Sequence, residues 1–357
     1  MKKTLIFIII CCSSELGLFS QSKNIAKIDS ILTELTNQDL FSGAVLIADS
    51  SKVLISKGYG YSDRENKVLN TSDTRFDLLS GSKIFTGTAI TYLAQQRKIK
   101  FSDTIGQYIK GLPKGKVITI HQLLTHSAGY DNFYNAPGFS YTKVKNCTDI
   151  IPFMRKLPLV YTPGDSCIYS TGNAIILGAL VEKITNKNFQ EYIEDTFIKP
   201  LKLANTCFIP YWTLNDSQKQ YAVGYRRNNT NSYSRNNYDY DYGFIPLSAG
   251  GVWSSVNDLY KFDKAVFSTK ILNKKYLNLM TTRYTKPIWE NNHFGYIWII
   301  DDSHTSCIGH AGNSSGWNTW NYYYPEYKYT MIILTNLGSV DVFKLSALFD
   351  EILFKNK

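Results

Sequence analysis

The stretch Phe76-Asp77-Leu78-Leu79-Ser80-Gly81-Ser82-Lys83-Ile84-Phe85-Thr86-Gly87 decides how the rest of the chain is read. Lys83 stands three residues after Ser80, and an apolar run from Ile84 to Gln96 follows, closed by Arg97 and Lys98. Cations suit a helix C-terminus, so the run predicts a helix. A helix opened by Ser80 would set the two side chains one turn apart on one face. A serine hydroxyl is a poor nucleophile at neutral pH and needs a base. A desolvated lysine, its pKa lowered, can be that base. The helix N-terminus adds free N–H groups for developing negative charge. One turn therefore offers a nucleophile, a base and half an oxyanion hole. Yet S-x-x-K fixes only two positions and arises by chance about once in a chain of this length, so its meaning depends on partners elsewhere.

Outward from that turn, the β-rich runs Gly43–Ala48 and Val53–Tyr59 flank Asp49-Ser50-Ser51-Lys52 and predict a hairpin. Ile25–Leu35 has helical periodicity. After about Asp103 helices dominate: Thr119–Thr125 capped by Thr119, Ile150–Leu157, Asn173–Thr185 and Glu191–Pro200. Gly129–Gly138 is a polar, aromatic loop, and Gly224–Gly243 reads equally as a loop or a twisted hairpin. A glycine-rich turn at Leu247–Ser254 precedes a helix Leu259–Phe267 capped by Ser255 or Asn257. Strands are predicted over Phe294–Ile300, Cys307–His310, Asn318–Tyr324 and Tyr329–Leu334, then a closing helix over Val342–Leu353. The two β-bearing ends can share one sheet. The expected class is α+β: an antiparallel sheet flanked by helices, from residues of about 21–105 and 255–357, with a mostly helical domain inserted over about 106–254. Ser80 lies where the first β part gives way to the insertion, beside the cleft between them.

Composition narrows the function classes. The 357 residues are 44% hydrophobic and 19% charged, which fits a globular core and not a disordered chain. The net charge of +10 is scattered among acidic residues with no basic stripe, which argues against a nucleic-acid partner. The five histidines, His121, His126, His293, His304 and His310, form no metal-binding motif, and no metal or other cofactor is expected. Lys2 and Lys3 followed by the apolar Leu5–Cys12 make residues 1–20 a signal peptide cleaved after Ser20, so a periplasmic or secreted protein is expected. A lipoprotein signal at Cys11 or Cys12 is the alternative, against which stands the lack of a small residue before either apart from cysteine itself. No other run is long and apolar enough for a membrane helix. Cys147, Cys167, Cys207 and Cys307 remain after the signal. Cys147 with Cys167 is the pairing nearest in sequence, and four free thiols are equally open.

The ordered segments resemble the serine β-lactamase and penicillin-binding protein family, in its class C-like branch of DD-peptidases, D-aminopeptidases and esterases. They are Phe41-Ser42-Gly43-Ala44-Val45-Leu46, Phe76–Gly87, Leu123-Leu124-Thr125-His126-Ser127-Ala128-Gly129, Tyr161-Thr162-Pro163-Gly164, Tyr169-Ser170-Thr171, Ser248-Ala249-Gly250-Gly251 and Gly309-His310-Ala311-Gly312, with Pro325 and Asn336 after them. Their order across most of the chain carries the match. The resemblance implies a serine hydrolase acting through a Ser80 acyl-enzyme, with Lys83 and Tyr169 handling the proton. It implies an oxyanion hole from the N–H groups of Ser80 and Asn313, and substrate contacts from Thr171, His310, Ala311 and Gly312. The substrate would be a D-amino-acid or cell-wall peptide, peptidoglycan included, an ester, or a β-lactam. Two positions depart from the family pattern: Thr171 stands where Y-x-N has asparagine, and His310 where K-T-G has lysine. Both weaken the case for penicillin hydrolysis. The rival reading is a non-catalytic peptide- or peptidoglycan-binding protein on the same fold, and transfer to an amine is not separated from hydrolysis.

Overall fold

Alternation along the strands explains how one sheet separates two apolar layers. The computed structural model describes residues 21–210, 213, 220–229, 232–236, 247–289 and 291–355. The strands are β1 (Gly43–Ala48), β2 (Val53–Tyr59), β3 (Asn292–Phe294), β4 (Ile299–Asp301), β5 (Cys307–Asn313), β6 (Asn318–Tyr324) and β7 (Tyr329–Thr335). They form a seven-stranded sheet in the order β2-β1-β7-β6-β5-β4-β3. Its seam is the antiparallel pairing of β1 with β7, from Gly43 opposite Thr335 to Ala48 opposite Thr330. The turn between β1 and β2 is set by Asp49, whose Oδ1 accepts from the N–H groups of Ser51 at 2.7 Å and Lys52 at 2.9 Å.

Because side chains alternate across a strand, Val45, Ile47, Met331 and Ile333 face one layer and Ala44, Leu46, Ile332 and Leu334 the other. The first layer is covered by helix α1 (residues 21–37), through Ile28 and Leu32, and by the C-terminal helix Val342–Phe354, through Val342, Phe349 and Leu353. The second is covered by α2 (Lys83–Gln95), which is buried nearly all round as a core helix should be. Beyond α2 lie α3 (Ile120–Leu124) and α4 (Thr171–Thr185), while α5 (Val256–Phe267) packs directly on the same face of the sheet, against β1 and β7. Local chemistry starts these helices: Thr119 and Gln122 make a reciprocal capping box at α3, Ser170 caps α4 and Ser255 caps α5. One continuous apolar cluster joins the sheet to the helical middle. The class is α+β, as expected.

Four details differ from the sequence reading or complete it. The strand expected over Phe294–Ile300 is a tight hairpin joining β3 to β4. Gly295 N–H bonds to Trp298 O, and the N–H groups of Tyr296 and Ile297 go to Met280 O and Leu124 O. Neighbouring helices thus take the hydrogen bonds that a continuous strand would give to a ladder. Tyr225–Arg227 pairs with Tyr233–Arg235, so this part of Gly224–Gly243 is a hairpin; residues 237–243 lie outside the described residues, as do 1–20 with the expected signal. Cys147 and Cys167 do not pair, and all four cysteines of the described residues are free. Cys147 Sγ lies against Ser248 Oγ at 3.2 Å, while Cys167 Sγ donates to Thr125 O. Finally, among the described residues no helix is long and apolar enough to cross a membrane.

Candidate active site

The turn that carries Ser80 is held from both sides. Phe76 and Asp77 pair with Ser254 and Trp253, and Leu78 N–H continues that ladder to Val252 O at 2.9 Å. Leu79 then takes a positive φ of 52°, a conformation costly for a branched side chain. The Asp77 carboxylate supports it by accepting Leu79 N–H at 2.8 Å. Burial raises the Asp77 pKa to about 7, against the opposing pull of that hydrogen bond. Ser80 follows in a 3₁₀ turn, Leu79–Ser82, and the α-helix proper begins only at Lys83. This corrects the expectation that Ser80 opens the α-helix. The tighter turn eclipses positions three apart, so it brings the two groups together at least as directly.

Lys83 is fully buried, with 0% of its surface exposed. Its Nζ lies 3.0 Å from Ser80 Oγ and also donates to Ala249 O. Desolvation pulls its pKa down to about 7. The Ala249 carbonyl is fixed by its neighbours: Thr86 Oγ1 donates to Ser248 O, Ser248 Oγ to Ala174 O, and Val252 N–H to Ser82 Oγ. From the other side Tyr169 OH donates to Ser80 Oγ at 2.9 Å. Burial pushes the Tyr169 phenol well above its usual range, partly offset by the bond to Ser80. The pocket thus favours a neutral phenol beside an amine that is largely uncharged just above neutral pH, and not an ammonium–phenolate pair.

Aromatic rings hold Tyr169 in place. His126 lies 4.9 Å away between ring centroids, Phe294 stacks at 6.2 Å, and the half-exposed Trp289 sits at 5.9 Å. His126 is completely buried, and burial holds its pKa well below the usual histidine range. Its Nδ1 accepts Ser170 N–H at 3.2 Å, which defines the tautomer of a neutral ring. Asn173 Nδ2 lies 3.3 Å from the same nitrogen, so Asn173 supports His126 deep in the core and does not reach the cleft.

Strand β5 runs beside the nucleophile turn. Its ladder to β4 ends at Gly309, opposite Ile299, so from His310 onward that side of the strand is unpaired among the described residues. Contact with the turn is close enough that a Cβ on Gly312 would lie 2.3 Å from Leu78 O and 2.7 Å from Thr319 Oγ1. Burial, and then the charge of Lys83, lower the His310 pKa to about 3. The ring is neutral, with Nδ1–H donating to Ala311 O at 2.6 Å and Nε2 left as an acceptor without a partner among the described residues. Ala311 turns its methyl to the opposite layer, so only its backbone faces the turn's side of the sheet. Asn313 ends the strand, exposed, with its side-chain amide donating to Asn318 Oδ1. Thr171 is the first residue of α4, and its N–H and Oγ1 both donate to Asn132 Oδ1 at 2.9 Å.

The structure therefore brings together Ser80, Lys83 and Tyr169, with His310 and Gly312 alongside. It also adds Asp77, His126, Asn132 and the Ala249 carbonyl, which the sequence reading left without a role. Asp77, His126 and Ala249 lie in segments already singled out. Asn132 had no signal, since its importance comes from a contact with Thr171 39 positions away. Among the described residues no three His, Cys, Asp or Glu side chains are grouped to hold a metal ion.

Known proteins resemble this chain over most of its length. The family model described as Beta-lactamase matches residues 28–348. Protein flp of Staphylococcus aureus is 26% identical over 329 residues, which cover 89% of this chain and 64% of flp. The chain thus spans just under two thirds of that relative's length. The teichoic acid D-alanine hydrolase of the same organism is 25% identical, over 95% of this chain and 80% of its own. Among solved structures, the octameric penicillin-binding protein homologue from Pyrococcus abyssi superposes with a TM-score of 0.79 at 26% identity, covering 93% of this chain and 77% of that one.

Proposed function

The chain belongs to the Beta-lactamase family, and from that premise we propose that it is an exported serine hydrolase working through an acyl-enzyme on Ser80. The observation that carries this reading is the convergence on Ser80 Oγ of Lys83 Nζ at 3.0 Å and Tyr169 OH at 2.9 Å inside the buried turn. Uncharged Lys83 takes the Ser80 proton as Oγ adds to the substrate carbonyl carbon. The N–H groups of Ser80 and Asn313 donate to the oxyanion, a kind of contact whose loss typically costs about 100-fold or more in rate. Tyr169 relays the proton to the leaving group, and water then releases the acyl group by the reverse transfers.

The substrate we propose is a D-aminoacyl or cell-wall-type peptide or an ester, ahead of a β-lactam. His310 supports the ester over the β-lactam, because a β-lactam, like a peptide ending in D-alanine, carries a carboxylate beside the scissile bond and an ester need not. Its ring stays neutral at physiological pH, so it gives no fixed positive charge to a carboxylate beside the scissile bond. A relative named for hydrolysing D-alanine from teichoic acid points the same way. Export rests on the charged and apolar pattern of residues 1–20. The test is labelling with a fluorophosphonate together with turnover of p-nitrophenyl esters, a D-Ala-D-Ala peptide and a chromogenic cephalosporin. We expect label and ester turnover in the parent, with both lost in Ser80→Ala. A parent that neither labels nor turns over any of these substrates, or an alanine variant that labels equally, refutes the proposal.

A further inference from the structure

Across the sheet from Ser80, a cavity of about 280 Å³ opens between the β4–β5 end of the sheet and the C-terminal helix Val342–Phe354. Cys307 and Trp320, which line it, belong to the apolar layer opposite the nucleophile turn. The space is far more than one water needs and is small for a ligand pocket. Three polar atoms of lining residues are buried without a hydrogen-bond partner among the described residues: Asp350 Oδ1, Trp320 Nε1 and Ser303 Oγ. Asp350 is 6% exposed and Trp320 4%. Thr305 and the Tyr324 phenol lie close enough to act on the Asp350 carboxyl, but the one phenol hydrogen goes to Met331 Sδ at 3.8 Å. An unmet buried polar atom is costly, so three around one cavity mark a place that a polar guest completes.

The charge of the cavity selects the guest. Asp301, Asp341 and Asp350 line it against one lysine, Lys344. That lysine is exposed and lies 3.5 Å from Asp341, and His304 is exposed as well. Asp301 is 7% exposed, with Oδ1 accepting Ser303 N–H at 2.9 Å. Burial, with a smaller push from the Asp301 charge, raises the Asp350 pKa to about 7. A cation would relieve both carboxyl groups. A metal ion fits poorly, since among the described residues no three His, Cys, Asp or Glu side chains are grouped to hold one. The wall is aromatic instead: Trp320 stacks on Tyr322 at 3.9 Å and stands perpendicular to the half-exposed Phe343 at 5.4 Å. Aromatic rings suit an organic ammonium. Trp320 Nε1 can only donate, so the guest also needs an acceptor oxygen, and beside these aspartates that oxygen must be neutral.

We propose that this cavity is a binding site, separate from the catalytic cleft, for a small primary ammonium compound with a neutral oxygen beside the amine, such as an amino alcohol. The ammonium donates to Asp350 Oδ1, the oxygen accepts from Trp320 Nε1, and Ser303 Oγ serves either end.

The probe is ethanolamine, titrated into the protein in phosphate buffer at pH 8, where Asp350 is ionised, and followed by ligand-observed NMR. We expect one site with a Kd of about 1 mM or tighter. Ethylene glycol, which lacks the ammonium, should not bind. Ethylamine, which lacks the oxygen, should bind about fivefold or more weakly. Asp350→Asn should weaken ethanolamine by about 10- to 100-fold, and Phe343→Ala, at an exposed position, by about two- to fivefold. Trp320→Phe should erase the difference between ethanolamine and ethylamine. Thermal unfolding checks the fold of each variant, and if Asp350→Asn does not fold, Phe343→Ala and Trp320→Phe decide. No binding of ethanolamine, or glycol binding as tightly, means that the cavity takes water alone and overturns the proposal. A Kd unmoved in the folded variants overturns it too, because the ligand then sits elsewhere.

Discussion

At the scale of single residues, the site depends on burial moving two pKa values in opposite senses. Desolvation lowers Lys83 to about 7 and raises Tyr169; both shifts disfavour the charged forms. If Lys83 is the base, it must lose its proton before Ser80 can react. Activity should therefore rise with pH through about 7 and level off above it. Lys83→Ala should abolish that limb along with a factor of about 10²–10⁴ in rate, the usual worth of a positioned base. Tyr169→Phe should slow the reaction and leave the limb near 7 in place, since the titrating group is still present. A pH profile of ester hydrolysis checks this, and a limb that vanishes with the tyrosine hydroxyl would make Tyr169 the base. Ser80 and Lys83 were legible in the sequence because three residues of spacing fix their relation within one turn. Tyr169 was legible only through family resemblance, since nothing local ties it to a serine 89 positions away. The positive φ of Leu79 and the carboxylate beneath it leave no pattern in the sequence.

At the scale of elements, the contact between β5 and the nucleophile turn sets where an oxyanion could be held. Gly312 marks it, because its missing Cβ leaves room for Leu78 O. Gly312→Ala should push the strand away from the turn. The expected result is a fall in kcat of about 100-fold, as small misplacements at a reacting centre cost, together with about 1–3 kcal/mol of lost stability from overpacking. Steady-state kinetics and urea unfolding on the same preparation measure both, and a variant with parental kcat would mean that the strand does not locate the oxyanion. Helix starts and long strands were readable in the sequence because capping residues and period-two patterns are local signals. The run Phe294–Ile300 was misread for the same reason: it is apolar enough for a strand, but its backbone bonds go to Met280 and Leu124, partners that only the tertiary structure supplies.

At the scale of the whole molecule, the sheet closes by pairing the first strand with the last, so the core between its two helical layers encloses polar groups drawn from distant segments. Three buried acids, Asp77, Asp263 and Asp350, have pKa values raised by burial to about 7, 8 and 7. Asp263, on α5, receives one bond, from Asn321 Nδ2 on β6, while its Oδ2 has no partner among the described residues. Its folded pKa of about 8 lies far above the 3.8 of an ordinary aspartate. Between these values the folded state holds a proton that the unfolded chain has released. The stabilisation from this group is thus complete below about pH 4 and is lost as pH rises through about 8. The buried bases oppose the trend in parent and variant alike: His310, lowered to about 3, adds stability with rising pH up to the unfolded histidine range, and Lys83 does so above about 7. The difference between Asp263→Asn and the parent therefore isolates one carboxyl. The variant keeps the shape but cannot ionise, so the two proteins should unfold at similar temperatures near pH 4. Their stabilities should separate steadily as pH rises, until the variant leads by about 2 kcal/mol or more at pH 8. Thermal unfolding of both proteins from pH 4 to 9 measures the gap. A gap that stays constant across that range would mean that Asp263 ionises near its ordinary value, and that the layer between α5 and the sheet is open to water.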